Sequence, residues 1–333
     1  MGCVREGAGH VSASVTSANC MARSKQASPA NGVYVALATP RRPDATEADA
    51  AALFDYLDIV VRTGIDGLVL FGSTGEFVHF DVTERMRVLA LAIRRSRVPV
   101  LVNVSHSSLA GAVALAQDAI EAGAAGLLLM PPYFYRYSDG QLAAFYEEFA
   151  RLAGGKIPTY LYNLPFFTNP IGPQLAERLL SSGAFAGIKD SSGERQLLNS
   201  LLELRLRVPF SLLAGSESLY LEARLAGADG IVSGVAAAVP ELVVAIDRAV
   251  VSNNLERAGR LNVRLNELLA WTNKFPATVG IKQAAVARGW KLNHFAFPLD
   301  ESTQADLDAF HRWLGSWLPA VLSESALAAA TKA

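Results

Sequence analysis

Residues 227–235 read GADGIVSGV, and the same pattern of glycines and apolar residues occurs at three further places in the chain. In each copy, a glycine suited to ending a helix is followed by a short turn and about five apolar residues, a usual strand length. The apolar residues are consecutive rather than alternating, which is typical of parallel strands buried on both faces. The other copies are GIDGLVLFG (64–72), GAAGLLLMP (123–131) and GAFAGIKDS (183–191).

Four more apolar strand candidates lie between these copies, and most are separated by amphipathic helical stretches such as residues 46–64. Eight βα units in 333 residues predict an α/β fold, a (β/α)8 TIM barrel, with a doubly wound open sheet as the alternative. We predict a disordered extension over residues 1–30, the barrel over 31–240, and a C-terminal helical appendage over 241–325, beside or beyond the barrel. The four candidates are VYVALATP (33–40), VPVLVNVS (98–105), IPTYLYNLP (157–165) and PFSLLAG (209–215).

The composition argues against several kinds of site. Hydrophobic residues make up 51% of the chain and charged residues 18%, against about 25% charged on average, which indicates a large core or subunit contacts. The net charge of −1 attracts neither nucleic acid nor anionic lipid, and no apolar run reaches the length of a membrane span. Cys3 and Cys20 form no metal-ligand pattern, and no GxGxxG or P-loop motif follows a strand. We therefore expect no metal site and no nucleotide site.

In barrels of this class the active site lies at the carboxyl ends of the strands. The polar residues there include one lysine, Lys189, with no cysteine and no cluster of acids, which does not fit metal-assisted hydrolysis or a glycosidase pair. Burial disfavours the ammonium form of a lysine and makes it a better nucleophile toward a ketone. Lys189 can then form a Schiff base that acts as an electron sink. The alternative is that it simply forms an ion pair with a carboxylate such as Asp190.

Two other strand ends favour the Schiff base. The turn GSTGE (72–76) is suited to holding a carboxylate through backbone N–H and hydroxyl donors, and Tyr162 can supply a phenol for proton transfer. Each feature is weak alone, because such turns are common and a strand-end tyrosine is more often a packing residue. Together with Lys189 they are much more specific.

From about Gly32 to Gly289 the chain resembles the dihydrodipicolinate synthase / N-acetylneuraminate lyase family of class I, pyruvate-dependent aldolases. Members are mostly tetramers (dimers of dimers), need no metal or organic cofactor, and are usually cytoplasmic, so the resemblance implies a cytoplasmic homotetramer with no cofactor. The matching motifs are GSTGE (72–76), PPYFY (131–135), YNLP (162–165), GIKDSSG (187–193), AGSESL (214–219) and GADGIVSG (227–234).

The resemblance also implies roles for individual residues. Lys189 would be the Schiff-base lysine, and Tyr162 would relay protons at the imine and at the departing or arriving hydroxyl. Ser73 and Thr74 would hold the carboxylate of a 2-oxo acid such as pyruvate. The further candidate substrate-binding residues are Gly215 and Val232.

Two departures from the family pattern bear on the activity. Members that make dihydrodipicolinate carry an arginine two residues after the proline of YNxP, where it binds the second substrate's carboxylate, but this chain has Phe167, which carries no charge. The family's strand-four tyrosine, which can reach into a neighbouring subunit's relay, aligns with Phe134. Tyr133 and Tyr135 flank it, but alternate side chains point opposite ways, so neither is an obvious substitute. Phe134, Tyr135 and Phe167 are thus candidate positions without an assigned role.

We predict a lyase that reversibly cleaves a 2-oxo-3-deoxy sugar acid, or a related 4-hydroxy-2-oxo acid, to pyruvate and an aldehyde. The pair Phe166–Phe167 favours an aldehyde with an aromatic or apolar end. The enzymatic alternatives are a 2-oxo-3-deoxy acid dehydratase and a 4-hydroxy-tetrahydrodipicolinate synthase. A 2-oxo-acid sensor without turnover is the non-enzymatic alternative, which the loss of the strand-four tyrosine keeps open.

Overall fold

The computed structural model describes residues 30–43, 47–153 and 155–326. The strands within these residues are β1 (Gly32–Ala36), β2 (Gly67–Leu70), β3 (Val100–Asn103), β4 (Gly126–Leu129), β5 (Thr159–Asn163), β6 (Gly187–Asp190), β7 (Ser211–Ala214) and β8 (Gly230–Ser233). All pair in parallel with their neighbours in chain order, and β8 pairs with β1 to close the barrel. The predicted (β/α)8 barrel is confirmed, and the open sheet is wrong.

Helices alternate with the strands and continue after the last one. The eight that follow a strand are α1 (Ala50–Val61), α2 (Val82–Arg95), α3 (Leu109–Ala122), α4 (Asp139–Ala153), α5 (Pro173–Ser181), α6 (Arg195–Arg205), α7 (Tyr220–Leu225) and α8 (Pro240–Val251). The C-terminal helices are α9 (Leu255–Thr272), α10 (Val279–Val286) and α11 (Glu301–Ala326). Among the described helices, none is both long and apolar enough to cross a membrane.

The repeated glycine pattern leads into the even-numbered strands β2, β4, β6 and β8. In the last copy, Gly227 follows α7 with φ +104°, a left-handed conformation that side chains rarely adopt. Gly230 opens β8, where a Cβ would lie 2.0 Å from the backbone oxygen of Gly32 on β1. The first glycine therefore turns the chain after the helix, and the second allows the closing strand pair to approach.

The C-terminal helices pack against the barrel through α8, which contacts β1, α9 and α11. Arg288, just after α10, also joins the C-terminal segment to α8 through an ion pair with Glu241 at 2.6 Å. The division at residues 240 and 241 stays a prediction. The extension predicted over 1–30 lies outside the described residues except for Ala30, whose backbone N–H donates to the Tyr160 hydroxyl at 2.7 Å.

Candidate active site

β5 and β6 carry the two side chains at the centre of the candidate site. Tyr162 and Lys189 are register partners on these neighbouring parallel strands, so their side chains leave the same face of the sheet. Both are buried, with Lys189 only 3% exposed. The Lys189 Nζ lies 3.9 Å from the centroid of the Tyr162 ring. A buried amine and a phenol ring are therefore in contact at the carboxyl ends of their strands.

Asp190, the next residue on β6, has partners of its own. Its carboxylate accepts hydrogen bonds from the Asn163 side-chain amide at 2.8 Å and from the Ser192 hydroxyl and backbone N–H at 2.8 and 3.1 Å. Burial raises the pKa of Asp190, and these hydrogen bonds oppose that rise. Successive strand residues point to opposite faces, so Asp190 turns away from Lys189. The interpretation of Lys189 as the ion-pair partner of Asp190 is wrong.

Gly215, just after β7, leaves the space that the Lys189 side chain occupies. A Cβ at this position would lie 2.9 Å from Lys189 Cε, 2.0 Å from Ser191 Oγ and 3.0 Å from the backbone oxygen of Asp190. The serine hydroxyl can rotate, but the backbone oxygen cannot move without shifting β6. Any larger residue at 215 would therefore displace the lysine.

We expect Gly215→Ala to slow Schiff-base formation at Lys189 by about 10²-fold, because a displacement of roughly 1 Å can cost that much in rate. Mass spectrometry of the adduct trapped by borohydride with pyruvate would measure it. Gly259→Ala is the control, because a Cβ there meets nothing within 4 Å. Trapping by G215A at the wild-type rate would contradict the packing argument.

One cavity of about 730 Å³ lies at this end of the barrel, a size suited to a small-molecule ligand. It brings together residues of β1, β5, β6 and β8 and of the loops that follow β2 and β7, which are far apart in the chain. Most of the candidate residues line it: Ser73, Thr74, Tyr162, Phe167, Lys189, Gly215 and Val232.

The structure does not bring Phe134 and Tyr135 to this cavity. Phe134 is 87% exposed and Tyr135 is 65% exposed, and their rings pack edge to face with their centroids 4.9 Å apart. Phe134 also has φ +84°, which is rare for a residue with a side chain. Neither residue lines the cavity that holds Lys189, so both stay candidates without an assigned role.

The C-terminal helices form one wall of the cavity, which sequence analysis missed. No motif marks this segment, and its amphipathic pattern indicates only packing helices. Thr278, between α9 and α10, has φ +71°, a strained conformation that has no sequence signal. The residues of this wall are Leu269, Thr272, Asn273, Phe275, Ala277, Thr278, Gly280 and Ile281.

The cavity carries little charge. Among its described lining residues, only Lys189 and Glu217 are charged. Glu217 is held in place, since its Oε1 accepts from the Ser233 hydroxyl at 2.8 Å and from the backbone N–H of Val235 at 3.0 Å. Across the described residues, no group of three or more His, Cys, Asp or Glu side chains could hold a metal ion.

A second cavity of about 240 Å³ adjoins the first. The two share walls formed by Ser73, Leu164, Phe167, Ala277 and Thr278. The remaining walls of the second cavity are mostly apolar and come from Glu76, Phe77, Val78, His79, Met130, Tyr133 and Thr168. The main cavity therefore continues into a largely apolar side chamber.

Comparison with known proteins gives consistent results. The model of the dihydrodipicolinate synthetase family matches residues 29–316. A 4-hydroxy-tetrahydrodipicolinate synthase of Methanothrix thermoacetophila is 30% identical over 282 residues, 83% of this chain and 94% of the relative. A probable 2-dehydro-3-deoxy-D-pentonate aldolase of Escherichia coli K12 is 31% identical over 273 residues, which cover 79% of this chain and 89% of the relative.

A solved structure has the same architecture. The prophage protein YagE of E. coli K12, described as a member of the dihydrodipicolinic acid synthase family and solved in complex with pyruvate, superimposes with a TM-score of 0.81 at 25% identity. The match covers 86% of this chain and 98% of YagE.

Proposed function

This chain belongs to the dihydrodipicolinate synthetase family of lyases, and on that basis we propose that it cleaves a 2-oxo-3-deoxy or 4-hydroxy-2-oxo acid to pyruvate and a neutral aldehyde. The observation that carries the proposal is the charge of the cavity: among the described lining residues, Lys189 is the only cation. The roles of the individual residues are part of the same proposal.

Lys189 forms the covalent bond to the substrate. Its amine attacks the ketone carbon of the 2-oxo acid, and loss of water leaves an iminium ion. Ser73 and Thr74 donate hydrogen bonds to the substrate carboxylate from the turn after β2. Both line the cavity with Lys189, which supports this arrangement.

Tyr162 transfers the protons. As the iminium forms, its phenol gives a proton to the departing hydroxide, which leaves as water. The same oxygen then takes the proton of the C4 hydroxyl, the C3–C4 bond breaks, and the electron pair of that bond neutralises the iminium as an enamine while the aldehyde leaves. Protonation of the enamine at C3 and addition of water then release pyruvate and restore the free amine. The contact between the Tyr162 ring and the Lys189 Nζ, 3.9 Å from the ring centroid, supports this role.

The aldehyde is neutral because a second carboxylate would have no cationic partner. The positive charge of the Lys189 iminium is bonded to the ketone carbon of the 2-oxo acid itself, and no other cation lines the described part of the cavity. Phe167, where synthases carry arginine, is a shared wall of the two cavities. A buried carboxylate without a partner is costly, so aspartate semialdehyde is a poor second substrate. The apolar side chamber can instead accept an apolar end of the aldehyde.

We expect release of pyruvate from a panel of 2-oxo-3-deoxy sugar acids and 4-hydroxy-2-oxo acids with neutral ends. Condensation of pyruvate with aspartate semialdehyde should be slower by about 10- to 100-fold, the effect of leaving one charged group unpaired. A coupled assay for pyruvate and product analysis by mass spectrometry would measure both reactions. If aspartate semialdehyde were the best partner, the neutral-aldehyde proposal would be wrong. Dehydratase activity would appear as loss of water without release of pyruvate.

The tetramer and the cytoplasmic location implied by the resemblance stay predictions. The 2-oxo-acid sensor without turnover is not supported, because the family and the relatives of this chain are lyases. Turnover that disappears in Lys189→Ala would exclude the sensor.

A further inference from the structure

A buried ionic cluster links helix α10 to the GSTGE turn (72–76), and the proposed mechanism does not use it. Glu76, at the end of the turn, is 7% exposed and has φ +56°. Its Oε2 lies 2.6 Å from the Lys282 Nζ and 3.3 Å from the Arg41 Nε. Its Oε1 accepts from the Thr278 hydroxyl at 2.8 Å. Three segments distant in sequence therefore meet at one carboxylate.

The Lys282 side chain, on α10, has no exposed surface. Its second contact is the backbone oxygen of His294 at 3.2 Å. Burial lowers the pKa of Lys282, while the neighbouring Glu76 opposes that change. Buried charges are tolerated when they are paired. Removal of one partner lowers the stability of the fold, because it leaves the other charge buried without compensation. The Lys282–Glu76 pair is thus a fixed link between the C-terminal helices and the β2 end of the barrel.

The link reaches the substrate site through the turn itself. The Glu76 backbone N–H donates to the Ser73 backbone carbonyl oxygen at 3.0 Å, closing the turn that presents the hydroxyls of Ser73 and Thr74. Thr278, bonded to the same carboxylate, lines the cavity beside them. The orientation of the two hydroxyls therefore depends on where Glu76 is held.

We propose that Lys282 and Glu76 are positioning residues, which act through the turn to aim Ser73 and Thr74 at the carboxylate of the 2-oxo acid. The inference rests on the proposed function. It assigns the C-terminal helices a part in substrate affinity in addition to their packing. Since the carboxylate contacts are the same before and during the reaction, their loss raises KM and leaves kcat nearly unchanged.

Lys282→Met and Glu76→Gln test the pair. Each should raise the pyruvate concentration that gives half-maximal borohydride trapping at Lys189 by about tenfold, through misplacement of the carboxylate contacts, with a similar maximal extent of trapping. The double variant should be no worse than either single variant, because the two residues act as one unit. The Arg288→Met control removes a partly buried ion pair just beyond the same helix, which does not touch the turn, and should leave that concentration unchanged.

A second pair of variants covers a failure of K282M to fold. Thr278→Val removes only the hydroxyl that bonds Glu76 and should raise the half-saturating concentration, whereas Thr278→Ser should restore most of the affinity. Equal effects of K282M and R288M, or unchanged affinity in K282M and T278V, would overturn the inference alone. Absence of any pyruvate adduct on the wild-type protein would overturn the proposed function, and this inference with it.

Discussion

Replacement of Lys189 with alanine is expected to reduce kcat/KM for 2-oxo acid cleavage by roughly 10⁴-fold or more, because the nucleophile is lost and no intermediate can form. The wild-type protein should gain a three-carbon adduct on Lys189 when pyruvate and borohydride are present, and the variant should gain none. Pyruvate release in a coupled assay and peptide mass spectrometry would measure the two effects.

Lys291→Ala is the matched control for this variant. Lys291 is an exposed lysine whose ion pair with Asp55, at 3.5 Å, is also exposed, so its removal should change neither turnover nor the adduct. An adduct on a different lysine of the K189A protein, together with retained turnover, would show that Lys189 is not the nucleophile.

Replacement of Tyr162 with phenylalanine is expected to reduce kcat by about 10²- to 10⁴-fold, the usual contribution of a positioned acid–base group. The ring and its contact with the Lys189 Nζ are kept, and only the hydroxyl is lost. Borohydride should therefore still trap pyruvate on Lys189, although more slowly, while cleavage of the C3–C4 bond becomes the slowest step. Single-turnover measurement of aldehyde release would separate the two steps.

Tyr160→Phe is the control, since it removes a hydroxyl from the same face of the same strand, two residues earlier. Tyr160 pairs with Gly187 rather than with Lys189, and its hydroxyl accepts from the backbone of Ala30. We expect Y160F to lose about 1 kcal/mol of stability and to keep kcat. If Y162F and Y160F reduced kcat equally, the effect would be structural and Tyr162 would not be the acid–base group.

The barrel could be predicted because its signals are local. Each unit is marked within ten positions by a glycine after a helix, a second glycine before a strand, and four or five consecutive apolar residues. The number of times this pattern recurs indicates the number of βα units. Parallel strands also need crossover helices, so the alternation of the two patterns left few topologies. Lys189, Tyr162 and the GSTGE turn followed from the same reasoning, since a barrel places all its strand ends on one rim, whereas Phe167 and Val232 came from the family resemblance.

The partners of individual side chains could not be predicted in the same way. Asp190 stands beside Lys189 in the sequence, but Asn163 from β5 and Ser192 from the following loop satisfy its carboxylate. The burial of Lys282 could not be predicted either, since a lysine in an amphipathic helix usually faces solvent. Its partner Glu76 lies 206 positions earlier in the chain.

The amino-acid sequence by itself therefore determined the eight-unit barrel and placed the lysine, the tyrosine and the two hydroxyls of the GSTGE turn together at one end of it. Only the tertiary structure decided that helices α9 and α10 wall the cavity, that Phe134 lies outside it, and that Lys282 pairs with Glu76 at the end of the GSTGE turn. The physical reason is that backbone periodicity and glycine geometry are set by neighbours along the chain. Burial and pairing of a charge are set by whatever the folded chain brings within a few ångströms.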